Sequence, residues 1–316
     1  MKIVIVGYGE MFDSLIAGIL ASEHQIVGVF RHENVIYSPL KRFIYDNLFP
    51  SANKLFIKSL GLYDIKSKSV NCNKFRKEIK KLDADIILVG SWSEKFTLET
   101  ICSPKVACIN VHPSLLPKYR GPNPYIQVIL NNEKKSGITF HLMNEYFDKG
   151  AILYQVQTDI SDEETGYSLK LKCCELARKE VVNLLNSYRE KIQIPLIQNG
   201  KDSSYQSHIS LKDSILDFEQ ENSSEIARRI RALTPWIDCH IAYKDEFFTF
   251  KKYKICSEIS KLSPSTIIKK SKNSISIVCK DNRVIEFSGL KLKRPVLNLF
   301  TKFYIKYIVK INSKVL

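Results

Sequence analysis

The sequence predicts an α/β protein in which a doubly wound, mostly parallel sheet is followed by a small β-barrel. Three observations predict it. Continuous β-branched runs alternate with helical stretches through the first half of the chain, the pattern of parallel strands joined by crossover helices. A long helical stretch at 165–187 then gives way to a polar segment with Pro195 and Asn199-Gly200, which reads as a linker. Beyond it, short strand-like runs are separated by turn residues, as in small barrels and sandwiches.

The elements are justified in order. Residues 3–6 are a buried strand ending at Gly7, 10–21 a helix, and 25–30 a second buried strand. Residues 31–60 are basic and aromatic, interrupted by Pro39 and Pro50, and read as a long insertion with some helix. A helix at 72–82 places Phe75, Ile79 and Leu82 on one face. A strand at 85–89, a helix at 94–101 and a strand at 106–111 follow, then strands at 136–143 and 151–160. After the linker, 223–232 is a helix with Ser223 as candidate N-cap. Short strands are expected near 239–243, 246–250, 265–269, 274–279 and 284–292. The expected organisation is a first domain over 1–190, a linker over 191–206, a barrel-like domain over 207–294, and a basic amphipathic tail over 295–316.

The start of the chain resembles a dinucleotide fingerprint only in part. Gly7-Tyr8-Gly9 follows the first strand, but Phe12 stands where a third glycine would allow close helix–strand packing. The expectation is a tight turn in a Rossmann-like sheet, without a dinucleotide.

Composition narrows the function. Of the net +15 charge, residues 251–316 carry +13, from 16 Lys and Arg against 3 Asp and Glu. Such a field attracts polyanions. The eight cysteines show no CxxC spacing and no metal-spaced histidines, so no metal is expected and the thiols should be reduced. The apolar run at 3–7 is too short for a signal peptide, and no run is long enough to span a bilayer. A cytoplasmic protein is expected.

The chemistry concentrates in Asn110-Val111-His112-Pro113-Ser114-Leu115-Leu116-Pro117-Lys118-Tyr119-Arg120-Gly121. A buried strand ends there, at the edge where open parallel sheets bind ligands. Asn110 and His112 are two apart and project to one side of an extended chain. Asp148 lies in a loop that can return to the same edge. His141 and Glu145 do not form a helical metal-binding pattern, and Gly90-Ser91-Trp92-Ser93 is not a nucleophile elbow.

This segment, with Gly137-Ile138-Thr139 and Phe147-Asp148-Lys149-Gly150-Ala151-Ile152-Leu153, resembles the folate-dependent formyltransferases. The resemblance implies the formyltransferase fold and a catalytic trio at Asn110, His112 and Asp148. It implies 10-formyltetrahydrofolate as co-substrate, with a pterin pocket formed by Gly90, Ser91, Trp92, Ser114, Leu115, Leu116 and Pro117. Ala227-Arg228-Arg229-Ile230-Arg231-Ala232-Leu233-Thr234-Pro235-Trp236 is similar to the start of the C-terminal domain in the methionyl-tRNA-acting branch. The expected acceptor is therefore the amino group of methionyl initiator tRNA, in protein biosynthesis. Phe140-His141-Leu142-Met143 resembles the sugar-acting members, so a dTDP- or UDP-linked amino sugar is the alternative. Lys118, Arg120, Lys291, Lys293 and Arg294 are candidates for holding the acceptor. A remoter reading, an inactive relative that binds RNA or a membrane surface, rests on the 295–316 tail alone.

Overall fold

The computed structural model describes residues 1–33, 39–192, 194–293 and 301–315. The chain divides into two compact units. The first takes in Met1–Tyr125, Lys134–Ile160 and Ser168–Ser207, and the second Ile126–Glu133, Ser161–Tyr167 and His208–Leu316.

The first unit is built on a six-stranded sheet of β1 (Lys2–Gly7), β2 (Gln25–Arg31), β3 (Ile86–Gly90), β4 (Ala107–His112), β5 (Lys135–Leu142) and β6 (Ile152–Asp159), in the order β2-β1-β3-β4-β5-β6. Strands β1 to β4 are parallel, and β5 and β6 run antiparallel to their neighbours. The parallel strands are buried because helices cover them, which is why they read as unbroken apolar runs. Helix α1 (Gly9–Leu20) lays Met11, Phe12, Leu15, Ile16 and Ile19 onto the sheet at helical spacing. On one face Val4, Val6, Phe30, Phe75, Ile79, Ile87 and Val89 share a core cluster.

The turn after β1 explains the incomplete fingerprint. A Cβ on Gly7 would lie 2.2 Å from the Gly90 carbonyl oxygen, so close strand approach demands glycine there, and Phe12 packs beside it. The Gly9 N–H donates to Asn53 Oδ1 at 2.9 Å. The backbone donor that a pyrophosphate would use is thus taken by a side chain of the chain itself.

The insertion holds α2 (Pro39–Leu48) and α3 (Ala52–Ser59); residues 34–38 lie outside the described residues. Ser51 caps α3 by accepting from the Lys54 N–H at 3.2 Å. Asp64 pairs with Arg31 Nη2 at 2.9 Å, Lys54 Nζ at 3.3 Å and Lys66 Nζ at 2.6 Å. Burial works to raise the Asp64 carboxyl, but Arg31 and Lys66 outweigh it and bring it down to about 2. Further on come α4 (Asn73–Lys81) and α5 (Leu98–Ile101), the latter one turn where a longer helix was expected, then α6 (Pro124–Leu130) and α7 (Gly166–Arg189). Residues expected as a linker pair with the first unit: Ile152 and Leu196 exchange two backbone hydrogen bonds of 2.8 Å.

The part of the second unit from His208 onward carries α8 (Ser223–Leu233). Its N-cap is Asn222, not Ser223, with Glu225 Oε2 accepting from the Asn222 N–H at 2.7 Å. The Ser223 hydroxyl instead donates to Asp281 Oδ2 at 2.7 Å. Antiparallel strands follow: β7 (Ile241–Tyr243), β8 (Glu246–Thr249), β9 (Lys252–Ile259), β10 (Ile267–Lys270), β11 (Ser274–Val278), β12 (Arg283–Ser288) and β13 (Lys291–Leu292). They form the sheets β10-β11-β12-β9 and β13-β8-β7. Strand β9 has no counterpart among the expected strands. It lies at a sheet edge, and five of its eight residues are exposed, Lys252, Lys254 and Glu258 among them, so it lacks the apolar face of an inner strand.

The described part of the tail packs some of its apolar residues inward. Helix α9 spans only Thr301–Tyr307, and Ile305, Val309 and Val315 are buried. Lys270 Nζ donates to the carbonyls of Ile305, Lys306 and Val309 at 3.3, 2.9 and 2.6 Å. It thereby neutralises the negative end of that helix. The first six residues expected in the tail lie outside the described residues. Among the described residues, no helix is long and apolar enough to cross a membrane.

Candidate active site

The site sits at the carboxyl end of β4, within the first unit. Register pairs Asn110 with His141 and His112 with Thr139 across β4 and β5. Because side chains alternate along both strands, four polar groups fall on one face of the sheet. The Asp148 loop meets them. His112 Nδ1 lies 3.4 Å from Asp148 Oδ1, and Asn110 Nδ2 lies 3.5 Å from the same oxygen. The three residues expected to act together are thus brought together.

The partners decide the imidazole tautomers. His112 Nε2 is 2.8 Å from the Tyr119 carbonyl oxygen. A carbonyl only accepts, so Nε2 carries the hydrogen and Nδ1 of the neutral ring is a free base facing Asp148. His141 Nδ1 lies 2.8 Å from the Leu142 carbonyl and is protonated by the same argument. Its Nε2 therefore accepts from Asn110 Nδ2 at 3.0 Å. This fixes which way the Asn110 amide points, and leaves its second N–H on the side of Asp148.

Electrostatics follow from burial. His112 is 5% exposed. Burial lowers its pKa from the ordinary histidine value; Asp148 and the Tyr119 hydrogen bond oppose that lowering without cancelling it. Burial also works to raise the Asp148 carboxyl. A proton on either neighbouring imidazole, His112 above all, and the Gly121 N–H donating to Oδ2 at 2.9 Å outweigh it and hold the group well below the carboxylate range. The pair is a neutral base beside a fixed anion, ready to stabilise the imidazolium once a proton arrives.

Asp148 takes φ +54°, a left-handed conformation that non-glycine residues adopt rarely. Gly150 cannot carry a side chain, since a Cβ would lie 1.6 Å from the Leu142 carbonyl oxygen.

The expected pocket residues divide. Trp92 lies just past the end of β3, packed on Phe30 and His32 with ring centroids 5.5 Å away in each case. Its indole Nε1 is buried with no hydrogen-bond partner among the described residues. Ser91 takes φ +62° and is half-buried, as are Leu115 and Pro117. Gly90 is a packing glycine whose Cβ would lie 2.7 Å from Leu15. Ser114 and Leu116 depart from expectation. Both are buried, the Ser114 hydroxyl donates to the Lys118 carbonyl at 2.9 Å, and the Leu116 N–H donates to Thr139 Oγ1 at 3.1 Å. Their polar groups are engaged within the loop, which they shape.

The expected acceptor residues divide likewise. Lys118, Lys291 and Lys293 are exposed, and Arg294 lies outside the described residues. Arg120 is corrected: its guanidinium turns inward, and Nε donates to the Asp148 carbonyl at 3.1 Å. His141 and Tyr119 have no place among the expected site residues. The alternation of Thr139 and His141 with apolar residues in an otherwise buried strand is a signal that could have flagged His141; Tyr119 contributes a backbone carbonyl, which leaves no trace in side-chain chemistry.

Comparison with known proteins shows the family. Residues 1–185 match a family model described as formyl transferase, and residues 208–298 match formyl transferase, C-terminal domain. The chain is 30% identical over 312 residues to the methionyl-tRNA formyltransferase of Ehrlichia ruminantium, covering 98% of each chain. It is 33% identical over 221 residues to that of Clostridium novyi, covering 69% of this chain and 71% of the relative. Among solved structures, it is similar to an N-formyltransferase from Helicobacter canadensis in complex with folinic acid and dTDP-3-aminofucose, with a TM-score of 0.65, 20% identity, and coverage of 91% of this chain and 99% of that one.

Proposed function

The chain belongs to the formyl transferase family and is a formyltransferase, and on that premise we propose that it moves the formyl group of 10-formyltetrahydrofolate to the amino group of methionyl-tRNA. The observation that carries the chemistry is the neutral His112 Nδ1 facing Asp148 beside the Asn110 amide. Similarity to a methionyl-tRNA formyltransferase along 98% of both chains supports the acceptor.

The residues at the carboxyl end of β3 fit a planar polar ring. The unpartnered Trp92 indole N–H would find an acceptor there; Leu115 and Pro117, in the loop after β4, are half-buried apolar residues that would line the pocket. The folate supplies a one-carbon unit bonded to nitrogen. As the acceptor amine attacks that carbon, His112 Nδ1 takes its proton and Asp148 holds the resulting cation. The Asn110 N–H on the Asp148 side, held there by a contact of only 3.5 Å, would turn to the formyl oxygen as it gains negative charge. The new carbon–nitrogen bond forms, the bond to the folate nitrogen breaks, and His112 returns the proton to the leaving nitrogen. A cytoplasmic location goes with this reading.

A nucleotide-linked amino sugar is the second reading, favoured by the likeness to the structure solved with dTDP-3-aminofucose. The two are separated by offering 10-formyltetrahydrofolate with methionyl-tRNA in one tube and with dTDP- or UDP-linked amino sugars in another. Formylated methionyl-tRNA is expected; a formylated sugar with the tRNA untouched would reverse the assignment.

A further inference from the structure

We propose that the segment joining the two matched regions is a working part of the catalytic centre, with Gln198 as the residue that positions Asp148. The inference rests on the catalytic reading of Asn110, His112 and Asp148 given above. The matched regions end at 185 and resume at 208, so this segment belongs to neither.

Among the described residues of 194–202, Gln198 alone is not exposed. Its carboxamide is fully used. Nε2 donates to the Asp148 carbonyl at 2.8 Å and to the Gly150 carbonyl at 2.7 Å. Oε1 accepts from Arg120 Nη2 at 2.5 Å and from Arg120 Nε at 3.1 Å. A glutamine has two N–H donors and one oxygen with two acceptor positions, so every group finds a partner. The contacts fall on the backbone of a loop whose central residue, Asp148, takes the left-handed conformation. Such a conformation persists only where the surroundings over-determine it. Gln198 and Arg120 both bind the same Asp148 carbonyl and supply that restraint.

The same segment reaches the other partner of the pair. The Arg120 N–H donates to the Ser204 carbonyl and the Gln206 N–H to the Arg120 carbonyl, each at 2.9 Å. The Tyr119 N–H donates to Ser204 Oγ at 2.8 Å. Tyr119 is the residue whose carbonyl sets the His112 tautomer. One strap thus anchors the backbone behind both His112 and Asp148, and no atom of it need touch substrate. Gln198 is a positioning residue.

The test uses the full-length protein with Gln198→Met, which keeps side-chain length and removes every polar group, and Gln198→Glu, which keeps the acceptor for Arg120 and loses both donors. Asp148→Asn is the control. Two readouts are taken: the titration of His112 by histidine NMR, and kcat and KM with methionyl-tRNA and 10-formyltetrahydrofolate. Loosening Asp148 should lower the His112 titration in the direction that D148N does. It should also cut kcat by ~10–100-fold with KM nearly unchanged, as expected for a small misplacement of a catalytic group. Wild-type titration and kcat in both glutamine variants would overturn the inference. D148N with full kcat would instead remove the catalytic reading itself. Should one glutamine variant lose its fold, the other decides.

Discussion

At the scale of single residues, two opposing influences act on one imidazole. Burial pushes the His112 pKa down and Asp148 pulls it back up, and burial prevails. The base form therefore persists to lower pH than for a free histidine. The acidic limb of kcat/KM should lie below the ordinary histidine range, with rates falling as pH drops through it and level above it, as a pH–rate profile would show. Removing the charge in Asp148→Asn takes away the upward pull. The limb should move lower still while kcat falls by roughly 10²-fold or more; a limb that moves upward contradicts the assigned roles. The trio was legible through the resemblance to the folate-dependent formyltransferases; strand alternation alone puts Asn110 and His112 on one side and allows the Asp148 loop to return there, without singling it out. The orientation of Arg120 was not. A cation near an active site reads the same whether it faces solvent or, as here, the Asp148 carbonyl. Ser114 misleads for a related reason, since its hydroxyl is consumed by its own loop.

At the scale of elements, the parallel strands were legible because they are buried on both faces and carry their own apolar signature. Strand β9 was not, because it is held by pairing to β12 and faces solvent with charged side chains. The register of β4 on β5 needs the fold itself: it sets His141 against Asn110 and brings Asp148 within reach of both. Gly150 guards that arrangement. Gly150→Ala would force a Cβ into the Leu142 carbonyl, and should cost about 2 kcal/mol or more. Thermal unfolding should show a lowered midpoint and kinetics a lowered kcat. At the other end of the chain, Lys270→Ala should leave three carbonyls without their cation. A cost of about 1 kcal/mol or more is expected, seen as faster amide exchange across 301–315.

At the scale of the whole molecule, the +13 charge of residues 251–316 should govern acceptor binding. If the acceptor is a tRNA, its KM should rise steeply with salt, by roughly 10³-fold between about 50 and 200 mM if six or more phosphates are held. Replacing Lys291 and Lys293 together with alanine should flatten that dependence, by about one unit of slope for each phosphate that a lysine no longer neutralises. A sugar nucleotide would respond far less to either change. The two-domain plan was legible from the shift between long crossover units and short strands. The tail reads as a basic amphipathic helix, and Ile305 and Val309 are buried at the i, i+4 spacing of such a helix; the further anchor at Val315 lies well past the helix, which ends at Tyr307.

The most direct measurement is single-turnover formylation of methionyl-tRNA from 10-formyltetrahydrofolate by the native protein and by His112→Ala, with circular dichroism confirming that both are folded. A loss of ~10²–10⁴-fold in the variant is predicted, the range a positioned general base contributes. A folded variant that transfers formyl at the native rate would contradict the account.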